Sequence, residues 1–406
     1  MPIHNSPFAA SSLAKSSGRG EVVLTVLPPS IPSLSTLSYN YPLKLLSRTP
    51  EGGLKSRYPA SATAPLHLYL LTYGGGLLPG DHIDVSITIK PRGRLVVTTP
   101  QGSTKIFKTE AQGGRKRHAP KTDNDRSKQT LKVQLGQGTG LCLLPDPSVP
   151  FADSRYDQFQ SFTLLREDGR AGEHAQGKQA VNEDRVSGSK GSLCVLDWVT
   201  EGRSARGENW SFDSWTGRNE VWLEDCKTGK RRLLLRDSVI LENGTNDKPQ
   251  DGDDSNNSTQ AHLPSPTAHT PIRSRTHSHG ILGTLILHGP LFESLADFFM
   301  ETFTSQPRIG GQNWASSSEQ TVFYPTDQDK RVNENTTSKK SNDSAAKPTE
   351  KSQGKVTWTA ARVRNGFVLV KFGAPDFETA RNWLGHILRT EGSVQREFGE
   401  EALGSL

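Results

Sequence analysis

The chain has 406 residues, of which only 33% are hydrophobic and 7% aromatic, in a length that as a prior allows two to three ordinary domains. So lean a chain is no polytopic membrane protein, and no run approaches the roughly 20 apolar residues that a spanning helix requires. The net charge of +6 excludes little. Its basic runs, Arg115–Arg117 and Lys339-Lys340, fall in polar stretches without an aromatic residue to stack a base, which reads as solvated insertion and not as a nucleic-acid surface.

In chain order, residues 1–20 lack a continuous apolar stretch and read as a frayed leader, so a cytoplasmic location is expected. Strands are predicted over 22–27, 66–72, 82–90, 94–99, 130–135, 192–200, 219–226, 231–241 and 281–287. The third alternates most cleanly, with Ile83, Val85, Ile87 and Ile89 on one face and Asp84, Ser86, Thr88 and Lys90 on the other. A helix over 291–303 follows Pro290. Strands 356–363 and 367–372 flank Asn365-Gly366, a strong hairpin signal. The last helix, 377–389, has Asp376 as its N-cap and a stripe of Phe377, Ala380, Trp383, Leu384 and Ile387. Four polar blocks, 110–130, 167–191, 243–280 and 326–355, contain almost no large apolar residues. They do not offset their own ordering entropy, so the expectation is one domain over 21–406 interrupted by disordered insertions. Its class is mainly β, of successive strands in a wound or layered body with a few flanking helices.

The three cysteines, Cys142, Cys194 and Cys226, are odd in number, lie in or beside apolar runs and suit buried free thiols in a reducing compartment. Gly74-Gly75-Gly76 is followed by a strand and by no Gly-Lys-Ser/Thr, so it reads as a tight turn and not a phosphate cradle. His262, His269, His277 and His279 lie in a polar block without fixed geometry, which suits weak, incidental binding of Ni²⁺ or Zn²⁺, or a metal-loading tether. His288 and His386 read as hydrogen-bonded core residues. No Ser-His-Asp order, paired-carboxylate site or HExxH appears, so independent catalysis has little support. A β-helical carbohydrate-active enzyme, the rival from another class, needs an exposed acidic and aromatic groove, whereas here the acids sit in turns.

Three segments are too particular for generic strand and turn: YGGGLLPGDHI at 73–83 with LVVTTPQGSTKIFK at 95–108, LLPDPSVPFADSRYDQ at 143–158, and LDWVTEGRSARGENW at 196–210 running into RNEVW at 218–222. In this order they resemble the UreD/UreH family of urease accessory proteins, over about 22–388. The long insertions depart from the compact family pattern and resemble fungal-type elaboration. The resemblance implies β-helix-like stacked strands with flanking helices. It implies a non-catalytic scaffold that binds urease apoprotein, recruits UreF and, through it, the GTPase UreG, and enables nickel insertion. Ni²⁺ is then in transit through an internal tunnel, with no tightly bound cofactor.

On that resemblance, Asp81, Asp197 and Glu208 are candidates for the nickel path, with Arg203 orienting the last two. The residues themselves allow a blander account, in which Asp197, Arg203 and Glu208 form a structural ion network and Asp81, after Gly80, caps a turn. Gly75, Gly80, Ser103, Lys105, Asp146 and Arg203 are motif or interface candidates. Asp146 stands between Pro145 and Pro147 in a rigid extended loop that suits either a fold corner or a docking edge. A pure scaffold that never touches metal remains the closest rival.

Overall fold

The computed structural model describes residues 17–49, 63–100, 104–108, 125–166, 191–243, 270–276, 278–306 and 356–406, and there the apolar alternation produces two large sheets and one small one. Strands β1 (Arg19–Leu27) and β2 (Ile31–Tyr39) pair as a hairpin, and β3 (Leu43–Arg48) follows. The chain then winds. One turn is β4 (Leu66–Thr72), β5 (Gly76–Leu77) and β6 (His82–Ile89), and the next is β7 (Arg94–Thr98), β8 (Lys105–Ile106) and β9 (Ser127–Leu135). A third is β10 (Gly140–Leu143), β11 (Val149–Pro150) and β12 (Arg155–Arg166), and a fourth begins with β13 (Ser192–Thr200) and closes with β14 (Ser214–Asp225). The first three turns visit the same three faces in the same order and the fourth the two large ones, so like faces stack as parallel pairs: β4-β7-β10-β13, β5-β8-β11 and β6-β9-β12-β14.

Antiparallel strands finish the body. β15 (Arg231–Glu242) returns along β14, and after the short α1 (Ile272–Arg275), β16 (Ile281–His288) returns along β13. Helix α2 (Glu293–Ser305) precedes the hairpin of β17 (Thr357–Val363) and β18 (Phe367–Ala374), which extends the second sheet to eight strands. Helices α3 (Phe377–Glu391) and α4 (Ser393–Phe398) end the chain's regular structure. The body is mainly β with few helices. None among the described residues is long and apolar enough to cross a membrane.

Two apolar cores hold this together. One fills the coil between the large sheets, with Val85, Leu131, Phe162, Val195 and Ile286. The other lies between the second sheet and the helices, with Cys142, Cys194, Leu295, Phe299, Leu384 and Phe398. A buried ion pair pins the last helix to the coil: Arg94 meets the Glu397 carboxylate at 2.7 Å, and its guanidinium also donates to the Glu397 carbonyl.

The predicted hairpin forms, with Asn365 (φ 63°) and Gly366 (φ 76°) both left-handed. The Asp376 carboxylate accepts the Thr379 N–H at 2.8 Å, as an N-cap should. Seven strands escape the sequence reading, β2, β3, β10, β12 and the two-residue β5, β8 and β11, as do the helices α1 and α4. β12 is hidden because Gln158 and Gln160 occupy its inward positions. Of the polar blocks, 125–130 and 270–280 without His277 belong to the body. Ile272 is fully buried, and its N–H donates to Asn243 Oδ1 at 2.9 Å. Composition averages conceal one such anchoring residue. The block at 326–355, and 167–191 apart from Gly191, lie outside the described residues, as do His262, His269 and His277. Cys142 and Cys194 are buried but Cys226 is exposed, because it follows β14 into a turn. His288 is buried against Phe367, whereas His386 lies on the exposed side of α3.

Candidate functional site

Register builds the site. In the first large sheet, Gly20, Val85, Leu131, Gln160, Asn219 and Asp237 occupy one inward-facing row across successive strands. The next row runs Ile83, Gln129, Gln158, Gly217 and Val239. Opposite them, the second sheet aligns Asp197, Thr284 and Lys371. An interior that is apolar in its first turn thus turns polar from Gln129 of the second turn in one row and from Gln160 of the third in the other.

Asp197 is the centre of this stripe. Its carboxylate accepts Gln158 Nε2 and Asn219 Nδ2, each at 2.8 Å, one to each oxygen. Gly217 makes room for it: a Cβ there would stand 2.9 Å from Asp197 Oδ2 and nearer still to the Trp215 ring. Burial pushes the Asp197 carboxyl up to about 6, against the lowering effect of the two amide donors; Asp237 adds to the rise and Lys371 opposes it. The neighbouring Tyr156 hydroxyl donates to Gln158 Oε1 at 3.2 Å and is held protonated by burial beside Asp197. Farther along the coil, Lys371 Nζ meets Asp237 Oδ1 at 2.6 Å.

A cavity of about 40 Å³ opens where the stripe begins, lined by Gln129, Gln158, Gln160, Asp197, Asp146 and Lys105 among others. By size it has room for about three waters. Thr104 and Asp146 also line a second space of about 160 Å³, which reaches Glu201, Ser204, Asp376 and Phe377. Asp146 therefore faces both spaces, at the corner between them. Burial raises the Glu201 carboxyl, with Arg273 pulling it back. Among the described residues, no group of three or more His, Cys, Asp or Glu is placed to hold a metal ion. The stripe offers amide and carboxylate oxygens instead, which are weak, hard donors.

The other sequence candidates take separate places. Gly75 (φ 77°) and Gly80 (φ 85°) are left-handed turn residues around β5. Asp81 accepts the Leu78 N–H at 2.8 Å and caps that turn, and burial raises its carboxyl. Arg203 and Glu208 pair with each other: Arg203 N–H donates to Glu208 Oε2 at 2.9 Å, and the Arg203 guanidinium holds Oε1 while lying 3.7 Å over the Phe151 ring. Both Asp81 and Glu208 brace their own loops and line neither space. Lys105 and Asp146 line the cavity, and Ser103 lies outside the described residues. Sequence reasoning missed Gln158, Gln160, Gly217, Asn219, Asp237 and Lys371. The available signal was a polar residue in step with the apolar inward positions of its strand, as Asp237 is with Leu235, Val239 and Leu241 within RRLLLRDSVILE.

Comparison with known proteins places these features in a family. The family model described as UreD urease accessory protein matches residues 18–171 and 185–403. The chain is 27% identical over 336 residues to an uncharacterized urease accessory protein ureD-like from Schizosaccharomyces pombe, covering 81% of this chain and 84% of that protein. It is 36% identical over 193 residues to urease accessory protein 4 of Cryptococcus neoformans, covering 45% of this chain and 50% of that one. It is 32% identical over 173 residues to urease accessory protein D of Arabidopsis thaliana, covering 43% and 44%.

Proposed function

Since the chain belongs to the UreD family of urease accessory proteins, a family of urease maturation, we propose that it is a non-catalytic scaffold that lets nickel reach the urease active site. In this reading it binds urease apoprotein, recruits UreF and through it the GTPase UreG, and gives Ni²⁺ a passage through its own interior. Nucleotide hydrolysis belongs to the partner.

The observation that carries the reading is the polar stripe with its cavity inside an otherwise apolar coil. A cation inside a protein meets a large desolvation cost unless polar groups or water accompany it. Gln158, Asn219 and Asp197 supply such groups without a closed ligand set, so the ion is eased along and not trapped. Asp146, facing both spaces, is the corner at which the ion turns. Asp197 is the waypoint, with Gln158 and Asn219 as the amides that hold its carboxylate in place. Asp81 and Glu208 support walls.

The test is a deletion strain, in which urease protein should accumulate without nickel and without activity. Pull-down on urease apoprotein, with and without UreF and UreG, checks the partners. Normal nickel in urease from the deletion strain would remove the proposal. Retained partner binding with wild-type nickel delivery by stripe variants would favour a scaffold that never handles metal.

A further inference from the structure

The far end of the stripe holds an unusual set of oxygens. Gln160 Oε1, Asn219 Oδ1 and Asp237 Oδ2 are all buried, and none has a hydrogen-bond partner among the described residues. They belong to one register row on three adjacent strands, β12, β14 and β15, about 4.8 Å apart from one strand to the next, so that Asn219 stands between Gln160 and Asp237. The Asn219 amide is not free to turn over, because its Nδ2 is engaged by Asp197 Oδ2. Its oxygen is therefore an acceptor directed elsewhere. Buried acceptors without donors are costly, and three in a row beside a carboxylate form a donor set for a hard cation.

One cation already stands there. Lys371 Nζ lies 2.6 Å from Asp237 Oδ1, with 45% of its side chain exposed against 10% for Asp237. It is thus half in the coil and half in water, on a flexible stem that can swing out. We propose that the Lys371 ammonium is a resident plug in a latent divalent-cation site formed by Gln160, Asn219 and Asp237. It neutralises Asp237 at rest, keeps a divalent ion from settling at this end until that ion is at saturating concentration, and leaves the cavity side as the way out. The proposal rests on reading the stripe as a cation path, but the two tests of the plug itself require no urease.

Equilibrium dialysis of the full chain against NiCl₂ below the concentration that displaces the wild-type ammonium is the first. Lys371→Met should retain an extra nickel ion per chain relative to wild type, and Lys371→Met with Asp237→Asn should lose it again. That pair of variants also cancels any binding by the histidines elsewhere. Lys371→Arg, which keeps the charge, should behave as wild type. A second measurement needs no variant: amine acetylation of the wild-type protein, read by mass spectrometry at Lys371, should rise several-fold at saturating Ni²⁺ as the ion displaces the ammonium. Equal nickel binding by wild type and a folded Lys371→Met, or Lys371 acetylation unchanged by nickel, overturns the plug. Retention of nickel by Lys371→Met, together with normal urease nickel in an Asp197 variant, would keep the site and remove the delivery reading.

Discussion

Two halves of one register row behave differently. In the first turns, Val85 and Leu131 occupy the inward position and pack in the coil core. In later turns the same position holds Gln160, Asn219 and Asp237, equally buried. The backbone geometry is common to both, so the coil itself does not demand polar residues there. Apolar side chains gain stability when removed from water; amides and carboxylates lose hydration and need partners to recover it. The polar half is thus a local departure from what folding alone favours, of the kind expected where a protein does its work.

Extending the polar half into the apolar one should have the largest effect. Leu131→Asn deletes a buried side chain and adds an amide with no partner, so a loss of about 3–5 kcal/mol is expected in urea unfolding. Little change would mean that the first turns already admit water. The converse, Asn219→Leu, strips one Asp197 oxygen of its donor and should cost about 1–3 kcal/mol. Its effect on nickel delivery should be large relative to that loss, whereas in Leu131→Asn stability should fall furthest.

The pH dependence sharpens the contrast. Asp197, at about 6 in the fold against an ordinary 3.8, contributes stability that is full below about pH 4 and lost as pH rises through 6. His288, which burial lowers to about 4 from 6.5, contributes stability present above pH 6.5 and lost as pH falls through 4. Across the shared window the two slopes oppose. Asp197→Asn should therefore uncover the histidine, making stability rise with pH more steeply than in wild type by on the order of 1–3 kcal/mol. Equal slopes from denaturant midpoints measured across that window would show that Asp197 is not the buried titrating group. Smallest of all is the exposed pair of Arg362 with Asp297 on the helix side: Asp297→Ala should change stability by less than about 1 kcal/mol.

Much of the scaffold was legible. Ile83, Val85, Ile87 and Ile89 announce β6 because one face is core and the other is not. Asn365-Gly366 and Asp376 declare a hairpin and a helix start by local chemistry. The site was legible at Asp197, a charge inside the apolar run of β13, and at Lys105 and Asp146 only as motif residues that line its cavity. Asp237 has the same signature but sits between Arg236 and Ser238, which look like surface. Gln158 and Gln160 obscured β12 itself. Partners such as Asn219 and Lys371 become visible only through register, since pairing between strands distant in the chain leaves no local pattern.

The central claim is that the polar half of the coil carries nickel and is not mere structure. Its most direct test is the nickel content of urease matured with Asp197→Asn, measured by mass spectrometry on samples whose accessory complex is followed by gel filtration. The account predicts a complex that assembles as in wild type and a urease depleted of nickel. Wild-type nickel in urease from a normally assembled complex would contradict it.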